Sequence, residues 1–394
     1  MNDAPSVDVA IVGAGPAGLH AAIAASERNV SVMVFDKKST IGTPVKCGEY
    51  FPNKQEMLRL LPHATDFTGL FEISSEAISN ECDTLRVFSP VGKCFEFPFG
   101  AHVLDRTVLE QALARSAERL GASFRLNCRV QLSIKDEEVY VGPTQADSVH
   151  ARVVISADGF PSTIAPLAGL ADDRYRLTKN VAINLQYMMN GLDIESNVTE
   201  MYMGGSVAPG GYAWIIPKGR SAANVGIGLR TEFAKCRRGK EYLDYFVRRH
   251  PAASQKLRNG AVQAMIADTL PVDGALPRTC SESCLIAGDS AGMVMATNGG
   301  GIPTAMVAGR IAGEVAANHV LEQAPLSDYE VRWKRALGEE LLASARMRRF
   351  ADAFMRHDRA LDLAMRLLGT DGIKKVVTCK IPGGLDILMN LLGY

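Results

Sequence analysis

Val7-Asp8-Val9-Ala10-Ile11-Val12-Gly13-Ala14-Gly15-Pro16-Ala17-Gly18, near the start of a 394-residue chain, decides the fold. Residues 7–12 form a short apolar run with β-branched side chains, which reads as a buried parallel strand. Three glycines follow at positions 13, 15 and 18, and an alanine-rich stretch predicts a helix through about Arg28. A second apolar strand is predicted over residues 30–35, ending at Asp36. Strand, glycine turn, helix, strand and acid stand in the order that binding a dinucleotide requires. Gly13 permits the tight turn, Gly15 lets the backbone approach a pyrophosphate, and Gly18 lets helix and strand pack closely. The helix N-terminus offers unpaired N–H groups and a positive dipole end to the phosphates. Asp36, 23 residues after Gly13, is placed to accept hydrogen bonds from ribose hydroxyls.

Bulk properties narrow the class. The chain is 47% hydrophobic and 22% charged, as in an ordinary globular protein of two or three packed subdomains. Lys+Arg and Asp+Glu balance at 43 each, so no global field attracts nucleic acid. Eight cysteines at irregular spacing, with no C-x-x-C pair, predict neither a disulfide scaffold nor a metal site and point to a reducing compartment. The N-terminus leads into its first strand without a basic region or cleavage site, so no signal peptide and a cytoplasmic location are expected. The longest apolar stretch, 284–317, is broken by Asp289, Arg310 and Glu314, and no membrane span is expected.

Distant segments add to the nucleotide reading. Residues 284–287 read as an apolar strand ending in Gly288-Asp289, an acid suited to a sugar-alcohol hydroxyl. Asn298-Gly299-Gly300-Gly301-Ile302-Pro303 then precedes an alanine-rich helix to about Asn318. Glycines at a helix start present N–H groups to an anion, and reduced flavin carries its negative charge near N1 and O2. Residues 153–157 repeat the pattern, followed by Asp158-Gly159. Asp105 is a predicted N-cap for a helix that stops at Gly121, with Arg106 pointing from its first turn toward the cleft.

In this order the features resemble the flavoproteins of the para-hydroxybenzoate hydroxylase fold, over most of residues 1–320. The resemblance implies an α/β fold with an FAD-binding Rossmann-like domain built from discontinuous stretches, 1–75, 101–170 and 270–320. It implies a β-sheet substrate domain from 76–100 and 171–269, and a helical C-terminal region over 321–394. By the same resemblance FAD is held by Gly13, Gly15, Ala17, Gly18, Asp36, Cys47, Gly48, Arg106, Val130, Asp158, Asp289, Gly301 and Ile302. One fingerprint without a second implies no dedicated NAD(P)H domain. NADPH, ferredoxin and another carrier all stay open as electron donor.

Two motifs point to one branch. Thr43-Pro44-Val45-Lys46-Cys47-Gly48-Glu49 resembles the Cys-Gly-Glu segment of the archaeal-type geranylgeranyl reductase family, where the cysteine lies against the flavin. Pro209-Gly210-Gly211-Tyr212-Ala213-Trp214-Ile215-Ile216-Pro217 is similar to that family's Pro-x-x-Tyr-x-Trp-x-Phe-Pro motif, with Ile216 where an aromatic is usual. The resemblance implies saturation of isolated C=C bonds in a prenyl lipid or prenyl diphosphate, with hydride from FADH2 and a proton from an acid. Cys47, Tyr212 and Trp214 are the expected catalytic residues; for the acid, Cys47, Tyr212 and a bound water stay open. On a strand Tyr212 and Trp214 share one face, a flat aromatic pair that builds an apolar slot for an alkene. Phe95, Phe97 and Phe99 alternate likewise and are expected to extend that wall.

The competing readings are an FAD monooxygenase or halogenase, since residues 212–217 also resemble the halogenase Trp-x-Trp-x-Ile-Pro motif. A quinone-linked electron-transfer protein is disfavoured, because Cys280 and Cys284 are too few for an iron–sulfur cluster. Cys82 and Cys94 flank a predicted hairpin and would pair under oxidation if it sets them side by side. Toward the C-terminus, Phe350, Phe354, Leu361, Met365 and Leu368 recur on one helix face, with six arginines from Arg346 to Arg366 on the remainder. That pattern suits a helix packed on the substrate domain, or one lying peripherally on the inner face of the cell membrane.

Overall fold

Val9, Ala10 and Ile11 are fully buried, which puts strand β1 (Ser6–Val12) in the interior of a sheet covered on both faces. The glycine turn leads into α1 (Pro16–Ser26) and β2 (Val32–Phe35), the predicted unit with its first strand one residue longer and its helix and second strand each about two residues shorter. The structure is a computed structural model that describes residues 5–135, 138–144, 146–171, 181–234 and 237–393. Next come β3 (Tyr50–Pro52), α2 (Lys54–Leu60), β4 (Ile78–Phe88), β5 (Cys94–Leu104) and α3 (Arg106–Arg119). They are followed by β6 (Ser123–Arg125), β7 (Gln131–Lys135), β8 (Glu138–Gly142), β9 (Val149–Ser156) and α4 (Ile164–Leu167). A run of strands, β10 (Val181–Asn190), β11 (Val198–Met203), β12 (Tyr212–Pro217) and β13 (Ala222–Arg230), leads to α5 (Gly239–Arg248), α6 (Ala253–Leu257) and β14 (Ala261–Pro271). After β15 (Cys284–Ile286) the chain is helical: α7 (Ile302–Glu322), α8 (Asp328–Met355), α9 (Asp358–Val377) and α10 (Leu385–Leu391).

Two sheets divide the strands. The first has the order β6-β2-β1-β9-β8-β7. It is parallel from β6 to β9, and β15 runs parallel beside the second half of β9. α1 packs between α7 and α3. The second sheet runs β14-β10-β13-β12-β11-β4-β5-β3, antiparallel except at the β11–β4 pair. Tyr50–Pro52 and the whole of β5 belong to this second sheet, so the chain passes into it once before α3 and again after β9.

Asp105 caps α3 by accepting the Val108 N–H at 3.1 Å, and Gly121 follows the helix at φ +101°, as the sequence predicts. Other expectations need correction. In the β4–β5 hairpin Cys94 faces Phe88 while Cys82 faces Ala101, so six residues of strand, roughly 20 Å, separate the thiols. They cannot pair. The predicted single C-terminal helix face is split between α8 and α9, and α9 is itself broken at Gly369 (φ 62°). Neither proline nor glycine marks the first break, at Arg356-His357, so spacing alone could not find it.

One ion pair and two hydrogen bonds to carboxylates fix this helical roof to the second sheet. Arg230, 1% exposed, donates both terminal nitrogens to Asp352 of α8 and its Nε to the Gly210 carbonyl at 2.9 Å. Ser89, in the β4–β5 turn, donates to Asp362 of α9, and the Gly205 N–H donates to Asp358 at 2.7 Å. Removing one partner of a buried pair leaves an uncompensated charge. Asp352→Ala is therefore expected to cost about 3 kcal/mol, measured as a shift of the urea midpoint at unchanged slope.

Candidate functional site

A cavity of about 1350 Å³ lies between the two sheets and beneath the C-terminal helices. It is lined by Gly13, Gly15, Ala17, Asp36, Cys47, Gly48, Arg106, Val130, Asp158, Tyr212, Trp214, Asp289, Gly301 and Ile302. Every expected site residue but Gly18 therefore meets in one place. Gly18 sits behind, where an added Cβ would stand 1.8 Å from the Gly13 carbonyl oxygen, so it serves the packing role read from its spacing. Gly13 itself has φ +107°, and a Cβ there would lie 2.2 Å from the Ala157 carbonyl at the end of β9.

Two helices begin on this cavity without a side-chain cap, α1 after Gly15 and α7 after Gly301. Both carry proline at the start, and nothing lies within 4 Å of a Cβ placed on Gly15. Uncapped N–H groups and two positive dipole ends opening on one space form a receptor for an anionic ligand with two separated polar parts. That donor set fits a dinucleotide. Asp36 braces the turn, accepting from Ala14 N at 2.6 Å and Lys38 N at 2.7 Å, with lone pairs left for a ribose. Asp158 is more committed: it accepts from the hydroxyls of Ser156, Ser162 and Thr163 and from Thr163 N, and so shapes its own loop.

Cys47 lies partly buried at the joint between the sheets. The Glu49 N–H donates to its Sγ at 3.1 Å, and the Arg106 guanidinium stands beside it. Burial pushes the thiol up, with Arg106 and that N–H pulling the other way. Arg106 reaches the cavity wall as expected, where its Nε donates to Glu110 at 2.9 Å.

Sequence reasoning missed the groups that hold this loop. Gln186 of β10 donates Nε2–H to the Cys47 carbonyl at 3.0 Å and accepts Trp214 Nε1–H at 3.1 Å. Asn224 of β13 donates to the Gly48 carbonyl and to Glu49, and Lys218 also pairs with Glu49. The one local signal was an amide side chain within a mainly apolar strand, and in β10 Asn184 and Asn190 carry the same signal as Gln186. Trp214 lies over Gly226, where a Cβ would be 2.3 Å from the indole.

The aromatic wall differs from the expected flat pair. Tyr212 and Trp214 share a face, yet their rings meet at 60° with centroids 5.9 Å apart. Tyr212 donates its hydroxyl proton to the Asn298 carbonyl at 2.5 Å, and burial pushes its pKa up. Of the three alternating phenylalanines only Phe99 lines the cavity; Phe95 and Phe97 pack into the main core. Their place is taken by the C-terminal helices, from which Phe350, Phe354, Leu361, Met365 and Leu368 all line the cavity. Among the described residues no group of three or more His, Cys, Asp or Glu is placed to hold a metal.

Asp289 faces the cavity in low-dielectric surroundings. Burial pushes its carboxyl up to about 6, the Arg106 guanidinium opposes that, and the Asp268 carboxylate adds to it. The folded carboxyl thus keeps its proton to higher pH than the unfolded one. Its contribution to stability is full below the unfolded value and is lost as pH rises through about 6. Asp289→Asn removes that loss. Between about pH 4 and pH 7 the variant should gain on the order of 2–3 kcal/mol relative to wild type in urea unfolding. A difference that stays constant over this range would contradict the carboxyl's placement.

Comparison with known proteins agrees with this geometry. Residues 180–267 match the model of the geranylgeranyl reductase catalytic domain, and residues 11–69 that of an NAD(P)-binding Rossmann-like domain. Digeranylgeranylglycerophospholipid reductase 2 of Methanopyrus kandleri is 34% identical over 341 residues, spanning 84% of this chain and 83% of its own. The Methanocaldococcus jannaschii digeranylgeranylglycerophospholipid reductase is 31% identical over 98% of both chains. The crystal structure of a geranylgeranyl bacteriochlorophyll reductase-like protein from Thermoplasma acidophilum superposes with a TM-score of 0.83 at 26% identity, over 98% of this chain and 99% of that one. A flavin-dependent brominase superposes at 0.71 with 16% identity, a likeness of fold alone. With its Rossmann-like turn, its Cys47-Gly48-Glu49 loop and its Tyr212/Trp214 strand meeting in one cavity, the chain belongs to the geranylgeranyl reductase family, beside the archaeal digeranylgeranylglycerophospholipid reductases.

Proposed function

We propose that the cavity holds FAD and a prenyl chain together, and that the protein saturates isolated C=C bonds of geranylgeranyl chains on a membrane glycerophospholipid. The observation that carries this reading is the cavity itself. At about 1350 Å³ it exceeds the ordinary small-molecule site, roughly 300–1,000 Å³. It also joins two anion-binding helix starts to a wall of Trp214 and C-terminal leucines, phenylalanines and methionines. In this reading stretches 1–75, 101–170 and 270–320 hold the dinucleotide. Gly15 and the start of α1 take the pyrophosphate, Asp36 the ribose, and Gly301 with Ile302 the pyrimidine edge of the flavin. Electrons come from an external carrier.

Bound and reduced, the flavin supplies the hydride. The chain's own residues supply the rest. The apolar roof excludes water from the alkene. Cys47 keeps its proton at neutral pH because burial raises the thiol, and donates it to the alkene carbon opposite the one that takes hydride. Arg106 and the Glu49 N–H then stabilise the thiolate that remains. Tyr212 is the weaker donor, since its O–H is given to Asn298.

Anaerobic incubation of the dithionite-reduced holoenzyme with a geranylgeranyl glycerophospholipid, read by mass spectrometry, is expected to show two added hydrogens per saturated bond. Oxygen-dependent, hydroxylated product would instead establish a monooxygenase. Cys47→Ser is expected to lower kcat by about 10²-fold with dinucleotide binding retained. Wild-type activity should fall as alkaline pH strips the thiol of its proton, and the serine variant should lose that limb. An unchanged kcat would remove Cys47 as the acid.

A further inference from the structure

Leu363 and Leu367 of α9 and Leu388 of α10 line the cavity and are nevertheless 58%, 80% and 44% exposed. A wall residue as exposed as Leu367 stands at an opening, which puts a mouth of the cavity between these two helices. The apolar surface does not stop there. Ile387, Leu391 and Leu392 continue it along α10, and Leu367 and Leu391 are 80% and 79% exposed. Six exposed large aliphatic side chains, on α9, on α10 and at the residue after it, make a patch of the kind that marks an interaction site.

The charges around the patch are sorted by sign. Of the four acids on these helices, Asp358 and Asp362 are turned inward to Gly205 and Ser89, and the exposed Asp386 is paired with Arg346, which leaves Asp371 as the one exposed acid without an ion pair among the described residues. Arg359, Lys375 and Lys380 are exposed and make no ion pair among the described residues. An apolar patch rimmed by unpaired cations is complementary to an anionic bilayer, with leucines at the acyl boundary and cations at the headgroups. No helix among the described residues is long and apolar enough to cross a membrane, so contact of this kind lies on the surface.

We infer that the outer face of α9 and α10 docks on an anionic lipid bilayer and sets the mouth of the cavity against it, so that a prenyl chain passes from the membrane to the site without crossing water. The inference rests on the prenyl-lipid reading above. It commits to a lipid surface; a second copy of the chain on the same patch is an alternative that the experiment separates.

The test is flotation of the holoenzyme with vesicles of equal parts phosphatidylglycerol and phosphatidylcholine, against vesicles of phosphatidylcholine alone. Wild type is expected to float with the anionic vesicles and much less with the neutral ones. Ile387→Glu and Leu391→Glu, which touch no cavity wall, should each weaken partition by at least about tenfold. Leu120→Glu, an exposed leucine at the end of α3, should leave it unchanged. Lys375→Glu with Lys380→Glu should erase the preference for anionic vesicles. The α10 variants should keep wild-type activity on detergent-dispersed lipid and lose it on lipid embedded in vesicles. Wild type that fails to float, or α10 variants that float as well as wild type, overturns the docking face. Wild type that sedimentation shows to be a dimer, with monomeric α10 variants, assigns the patch to a second copy and overturns it too. Flotation lost in the variants without bond saturation in any format would uphold the docking face and sink the reductase reading alone.

Discussion

The arrangement of the site hangs on one buried carboxylate. Glu49 is 2% exposed, and both its oxygens are engaged: Lys218 and Asn224 reach one, and the Arg106 N–H the other at 3.1 Å. Its backbone carbonyl accepts Leu104 N, and its own N–H points to Cys47. A buried charge is tolerable only when paired and hydrogen-bonded, and here the bonds come from β5, the start of α3, β13 and the residue after β12. The residue also sits at φ +63°, a left-handed conformation costing roughly 1–2 kcal/mol outside glycine. Such strain persists only where the surroundings over-determine it. Glu49 therefore acts as a rivet that holds the Cys47 loop between the second sheet and the start of α3, and the Cys47 thiol takes its place from it.

That rivet fixes one wall of the cavity that lies between the two sheets. Two cores pack separately, one around α1 and α7 and one on the α5 side of the second sheet. Between them the wall must be kept open, and apolar contact alone would close it. Polar clamps set the spacing instead. Gln186 ties the Cys47 loop to Trp214, and Arg230 ties the second sheet to α8. Each is fully buried or nearly so, and each bridges elements distant in the chain.

Legibility in the sequence follows the same division. The turn at Gly13, the helix after it and Asp36 were readable because their determinants lie within one continuous stretch and depend on local backbone chemistry. Asp105 as a cap and Gly121 as a stop were readable for the same reason. Cys47 drew notice as a cysteine, but Glu49 beside it carries the structure, and nothing local distinguishes a buried glutamate from a solvated one. Gln186 and Asn224 were missed because their roles exist only once β10 and β13 are paired and both face a loop more than a hundred residues away. Phe95, Phe97 and Phe99 show the limit of period-two reasoning. It groups them on one face correctly, yet which of them reaches a cavity depends on what packs over the sheet.

What packs over it is the C-terminal region, where helical spacing picks out the right residues and the wrong helix. An apolar period persists across a break when both halves must bury the same kind of face against the same cavity. Those positions share the space they enclose, and that space is continuous although the helix is not. The roof is thus built to be apolar within and anchored by ions at its edges, through Arg230, Asp358 and Asp362. An isolated alkene needs such surroundings: it offers no hydrogen bond to orient it, so the walls must position it by shape. The polar work is left to the joint behind it, where Cys47, Arg106 and Glu49 meet.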